Sequence, residues 1–294
     1  MKFVSLVSRL QCGPVDPCLL ILRYLMMSRF IPLNPKEHVT HGWKRFDSMA
    51  FAEHDVCAPI VLAELKMLLP HYPLAFIRNG EQRFTAVALQ GVYAKQNLMI
   101  SPQGKWLVPY IPSVYRGYPF ALQQVDQAGE ARFVLCFDSE SGLYREMPDA
   151  GSGNERFFDD DAQLTTATRG VLDFLMQRQR SQAHTQIATD LLAELGLLKP
   201  LSWPFASPDK ARTPVTGLYR VNEQALSELK DDDLARLARS DALMLGHAQL
   251  LSMPRFDVLP RLYRLHYPLA AEPAGLDQIE QLFGDKDDTL KFNF

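Results

Sequence analysis

Thr85-Ala-Val-Ala-Leu89, Asn97-Leu-Met-Ile100 and Arg132-Phe-Val-Leu-Cys-Phe137 are three short runs in which apolar side chains dominate. Each has the length of a strand rather than of a helix, and helical patterns dominate the chain after Asp138. That order predicts an α+β fold, with a central, mainly antiparallel sheet over about residues 72–138 covered by C-terminal helices.

Just upstream, Tyr72-Pro73 turns the chain into Leu74–Ile77, and Asn79-Gly80 then stands between two strand-like runs. That dipeptide is a strong hairpin signal, with Arg83–Leu89 as the second arm. Earlier still, Leu62, Leu65, Met67, Leu68 and Leu69 give Ile60–Leu69 a wide apolar helical face that Pro70 ends. On the downstream side Asn97–Ile100 is expected to pair next, before the turn residues Ser101-Pro102-Gln103-Gly104. Trp106 to Phe120 contains Pro109, Pro112 and Pro119, which cannot donate ladder hydrogen bonds, so this passage reads as a sheet edge or a structured loop. Ser139–Asp161 is rich in Gly, Ser, Asp and Glu and reads as a loop.

The spacing predicts a long helix from near Leu164 to about Leu195, capped by Thr165 or Thr166 and ended by Gly196. Its polar middle, Gln177–Gln186, reads as an exposed bridge between two apolar stretches. A proline-rich connection, Leu197–Pro214, leads to a short strand at Gly217–Val221 and to three helices opened by Asn222, Asp231 and Ser240. His-Tyr-Pro-Leu-Ala occurs at His71–Ala75 and again at His266–Ala270 with unlike flanks. It reads as a helix exit and turn, not as a repeat.

Three zones follow. Residues 1–27 match a signal peptide poorly, because Pro14, Asp16, Pro17 and Arg23 interrupt the apolar runs, and they read as a leader upstream of a start at Met26 or Met27. Residues 28–265 are expected to form one α+β domain, and 266–294 a polar tail.

A hydrophobic content of 47% with 22% charged residues in 294 argues for a globular chain with a real core and against a membrane span. The net charge of −3 supplies no basic field for a nucleic acid. Cysteines at 12, 18, 57 and 136 lack metal or redox spacing, and Cys57 and Cys136 read as buried thiols in a reducing cytoplasm.

Two constellations stand out. Trp106, Tyr110, Tyr115, Arg116, Tyr118 and Phe120 interleave rings with a cation, a set suited to stacking on a ligand, although such stripes more often belong to a core. Asp138 and Glu140 lie where a strand meets a loop, and with an imidazole such as His247 they are the catalytic candidates, set against a solvated acidic loop. No G-x-S-x-G, G-x-G-x-x-G, P-loop or H-E-x-x-H pattern is present, and neither a metal site nor a cofactor is expected.

Several stretches resemble the bacterial SapC family over about Phe30 to Leu259. They are Tyr72-Pro73-Leu74-Ala75-Phe76, Tyr110-Ile111-Pro112 with Arg116-Gly117-Tyr118-Pro119-Phe120, Cys136-Phe137-Asp138, Leu195-Gly196-Leu197-Leu198 and Gly217-Leu218-Tyr219-Arg220-Val221-Asn222. The chain departs from the family pattern at Ser139, where the resemblance implies an acidic residue, and at Gln249, where it implies a histidine. The family takes its name from a surface-layer locus, and relatives occur beside outer-membrane receptors and halogenase-like genes. The resemblance therefore implies an accessory role in envelope- or uptake-linked metabolism, without a defined reaction. From residues and resemblance together the expected function is binding of a small molecule, peptide or partner protein around Trp106–Phe120. A metal-assisted enzyme using Asp138 and Glu140, or a surface-layer structural protein, are the alternatives.

Overall fold

The hairpin at Asn79 is the middle of the largest sheet. A computed structural model of the chain describes residues 30–79, 82–127, 130–148, 153–203 and 212–267. The expected leader, most of the polar tail, the hairpin residues Gly80 and Glu81 and part of the 197–214 connection lie outside them. The strands in chain order are β1 (Phe30–Pro32), β2 (Gly42–Lys44), β3 (Cys57–Pro59), β4 (Leu74–Arg78), β5 (Phe84–Leu89), β6 (Phe120–Gln127), β7 (Glu130–Asp138), β8 (Tyr144–Arg145), β9 (Asn154–Arg156), β10 (Leu198–Pro200) and β11 (Leu218–Val221). The α-helices are α1 (Pro35–His38), α2 (Leu65–Leu68), α3 (Ser113–Arg116), α4 (Thr166–Glu194), α5 (Glu223–Ser227), α6 (Asp231–Arg239), α7 (Ala242–Ser252) and α8 (Val258–His266).

All the pairings are antiparallel, as expected, but the sheet foreseen over residues 72–138 is divided. β4 and β5 belong to a five-stranded sheet in the order β10-β11-β4-β5-β3, whereas β6 and β7 form a separate three-stranded sheet with β1, and β8-β2-β9 a third. β4 and β5 pair from Leu74↔Ala88 to Arg78↔Phe84, and Asn79 N–H closes the turn on Arg83 O at 2.7 Å. Leu74 to Ile77 and Ala86 to Leu89 are all buried, so both faces of this hairpin are covered. That explains an unbroken apolar run in an antiparallel sheet, where one wet face would have imposed alternation. Each such Leu, Ile or Phe contributes roughly 1.5–3 kcal/mol by leaving water.

Two main hydrophobic clusters result. The larger joins the five-stranded sheet to Ala188 and Leu192 of α4, to Leu245 and Ala248 of α7, and to Leu259 and Leu262 of α8. The smaller contains Trp43, Phe120, Leu135, Phe137, Phe157 and Phe158, against Val171, Leu172 and Leu175 of α4. Helix α4 thus runs through both. Its 29 residues span about 43 Å at 1.5 Å per residue. The expected caps hold: Thr165 Oγ1 accepts Thr168 N–H at 3.3 Å, and Gly196 adopts φ +67° after the last turn.

Several local expectations change. Asn97–Ile100 is buried but is not a strand beyond a single bridge, Ile100↔Trp106, because its amides are committed elsewhere: Asn97 N–H to Glu53 O and Leu98 N–H to Gln90 O. The helix expected over Ile60–Leu69 shortens to a 3-10 turn at Leu62–Glu64 and α2, since Ile60 N–H bonds Ala86 O of the sheet at 3.1 Å and Val61 is extended. The polar middle of α4 is only partly exposed. Gln177 and Arg180 face solvent, while Thr185 Oγ1 accepts Leu62 N–H at 2.9 Å and Gln186 Nε2 donates to Phe84 O at 2.9 Å. Gln249, where the family resemblance implied a histidine, is buried and ties strands together. It accepts Val221 N–H at 2.9 Å and donates to Leu74 O at 3.2 Å.

Candidate functional site

A cavity of about 300 Å³ is lined by β3, an edge strand of the five-stranded sheet, and by β6, an edge strand of the β1-β7-β6 sheet. β3 supplies Cys57 and Pro59 on one side and β6 supplies Phe120, Ala121 and Leu122 on the other. Leu175, Arg178 and Gln179 of α4 close it along a third wall, and Tyr115 and Tyr118 from the aromatic passage complete the lining with Asp55.

The passage reaches this position through a buried polar anchor. Glu64, 3% exposed, accepts four hydrogen bonds: Val61 N–H at 3.0 Å, Ser113 N–H at 2.7 Å, Ser113 Oγ at 2.9 Å and Tyr110 Oη at 3.0 Å. Arg178 joins the same knot, with Nε donating to Ser113 Oγ at 3.2 Å and Nη2 to Pro59 O at 3.3 Å. Burial draws its guanidinium below the ordinary value, and the nearby Glu64 acts against that. The loop is pinned again where Trp106 Nε1 donates to Tyr72 Oη at 3.1 Å and to Tyr110 O at 3.1 Å. Gly117 passes close to α4: a Cβ there would stand 2.6 Å from Leu175 Cδ2, and the leucine side chain would have to shift.

Six ring-and-cation residues were expected to act together, and the structure divides them. Tyr115, Tyr118 and Phe120 line the cavity. Trp106 and Tyr110 pack against the larger core, and Arg116 lies on the surface with its guanidinium over the rings of Tyr110 at 5.1 Å and Phe174 at 5.6 Å. Tyr118 stacks on Phe51 at 3.9 Å and 16°. Burial, reinforced by the Asp138 carboxyl, pushes its phenol up to about 12. Phe120 meets Trp43 edge-on at 4.8 Å.

Asp55 carries the unusual chemistry of the cavity. Burial raises its carboxyl to about 6, against the opposing effects of a hydrogen bond from Tyr115 and of His54. Tyr115 Oη also lies 2.8 Å from Gln90 Oε1, while Gln90 Nε2 is buried without an acceptor. A hydroxyl has one proton to give. Gln90 Oε1 and the Asp55 carboxyl therefore both call on that proton, and Gln90 Oε1 accepts Asn97 Nδ2 at 3.5 Å as well.

Of the catalytic candidates, Asp138 and Glu140 share a turn at the end of β7. Asp138, 4% exposed, accepts Glu140 N–H at 3.0 Å on Oδ1 and Ser141 Oγ at 2.6 Å on its main-chain oxygen. The Glu140 side chain is exposed. His247 is exposed on α7, which packs on the five-stranded sheet, and its Nδ1 contacts Leu243 O at 2.9 Å. The structure therefore does not assemble the three. Among the described residues no group of three or more His, Cys, Asp or Glu is placed to hold a metal ion. No helix among them is long and apolar enough to cross a membrane. Cys57 and Cys136 are buried and are not joined to each other.

Sequence reasoning passed over Asp55, Glu64 and Arg178. The one available signal was Glu64 in Val61-Leu62-Ala63-Glu64, a lone acid inside an apolar run that caps its own turn.

Comparison with curated proteins and with solved structures found no match. A family model does match, over residues 33–259, a span that holds β2 to β11, the Glu64 anchor and every residue lining the cavity. On that coverage the chain belongs to the SapC family.

Proposed function

We propose that the protein is a binding protein that takes an apolar, ring-bearing or branched group of its ligand into the cavity between β3, β6 and α4. The observation that carries this reading is a cavity of about 300 Å³ walled by rings and aliphatic side chains, with a few polar groups at its margin. Pockets of that size and composition, with sparse polar groups fixing orientation, are the usual form of a small-ligand site. Tyr115, Tyr118 and Phe120 make the contact in this reading, and Trp106, Tyr110 and Arg116 hold the passage in place. The genomic setting of the family supports an accessory role in envelope- or uptake-linked metabolism, and the two buried thiols support a reducing, cytoplasmic compartment.

Saturation-transfer NMR with indole, p-cresol and isobutylbenzene tests the reading. The wild-type protein should bind at least one, and Ala121→Trp, which fills the cavity from β6, should lose the response while keeping its circular dichroism spectrum. No binding by wild type, or equal binding by the folded variant, overturns it.

A further inference from the structure

The rim of the cavity carries a sheet edge with no further strand paired to it among the described residues. β6 pairs with β7 from Phe120↔Phe137 to Gln127↔Glu130, and the Asp138 N–H to Pro119 O bond of 2.9 Å fixes which residues point inward. Alternate residues of an antiparallel strand direct their main-chain groups to opposite sides. Ala121, Gln123 and Val125 therefore bond to β7, and Leu122 and Gln124 direct N–H and C=O away from it. β6 is the last strand of its sheet, and among the described residues nothing bonds the main-chain groups of Leu122 or Gln124.

The opposing edge is treated differently. Pro59 of β3 has no N–H, and Arg178 caps its carbonyl at 3.3 Å. From Phe120 to Gln127 there is no Lys, Arg or Pro, the residues that ordinarily protect an edge from further pairing. Gln124 is exposed and Leu122 lines the cavity, so the open edge begins at the cavity and runs outward from it.

We propose that the ligand is an extended peptide segment that adds to β6 as a fourth strand and places one apolar side chain in the cavity. The outward positions Leu122 and Gln124 stand about 6–7 Å apart, the repeat of alternate residues in a strand, so each meets one peptide residue that both donates and accepts. Main-chain pairing supplies affinity, and the ring-lined cavity selects the side chain. This inference rests on the cavity reading above and adds the class of ligand.

Selection of phage-displayed random octapeptides on the full-length protein tests it, followed by fluorescence anisotropy with the enriched peptide. N-methylation along that peptide should weaken binding at alternate positions by about tenfold or more and spare the intervening ones. Gln124→Pro removes an outward N–H that no ladder bond uses, so the fold should survive, peptide binding should fall by a similar factor, and the NMR response to p-cresol should remain. If no octapeptide is enriched, or if N-methylation shows no alternation, the peptide proposal falls, and retained binding of the small rings leaves the cavity reading standing. A dimer in native mass spectrometry that Gln124→Pro dissolves would show that a second copy fills this edge, and would overturn the proposal as well.

Discussion

Two carboxyl groups flank the aromatic passage, and they have opposite fates. Glu64 receives four donors, including Tyr110 and Ser113 from the first half of the passage, and is fully enclosed. Asp55 faces the second half, where Tyr115 and Tyr118 line a cavity, and burial raises it to about 6. The first half of Trp106–Phe120 is anchored and the second half is presented. What separates structure from candidate function here is how many partners an acid has been given, four for enclosed Glu64 and fewer for half-buried Asp55, not which residue types are present.

Breaking the anchored side should have the largest effect. Glu64→Ala leaves the Ser113 and Val61 amides and the Tyr110 hydroxyl without their acceptor. A loss of about 3–5 kcal/mol is expected in urea unfolding, because several buried donors are orphaned together beside Arg178. Asp55→Asn should move the other way. A raised carboxyl stabilises the folded state below the unfolded value near 3.8 and loses that contribution as pH rises through about 6. Wild-type stability relative to Asp55→Asn should therefore fall between those limits. Above pH 7 the variant should be the more stable by on the order of 1–2 kcal/mol, after allowance for partial solvent contact. Thermal melts of both proteins across pH check this.

Smaller perturbations sharpen the contrast. Gly117→Ala sets a methyl 2.6 Å from Leu175 Cδ2, which must rotate toward the cavity, and about 1 kcal/mol should be lost. Arg116→Ala removes an exposed cation from the Tyr110 and Phe174 rings and should cost about 0.5–1 kcal/mol in the same unfolding assay. Because Arg116 sits on the surface over Tyr110 and does not line the cavity, the NMR response to p-cresol should not change.

Local signals in the sequence located the elements that depend on neighbours along the chain. The β4–β5 hairpin followed from Asn79-Gly80, and α4 began and ended at the expected Thr165 and Gly196. β7 was expected at Arg132–Phe137 and runs from Glu130 to Asp138. β6 was missed because Gln123, Gln124, Asp126 and Gln127 dilute its pattern, and the division into separate sheets is set by distant pairings such as Phe30↔Asp138 and Leu218↔Ile77. The site was half legible. Tyr115, Tyr118 and Phe120 were recognised as rings in a stiff passage, but Asp55 and Arg178 meet them only through folding, and nothing in the spacing of an acid 60 residues before a tyrosine announces contact.

One shared strut has a further consequence. Because α4 packs Leu172 and Leu175 against one cluster and buries Ala188 and Leu192 in the other, loosening either end strips packing from the same rod. The two clusters should then melt as one cooperative unit, with slow amide exchange from Val171 to Leu192 lost in a single step rather than in two.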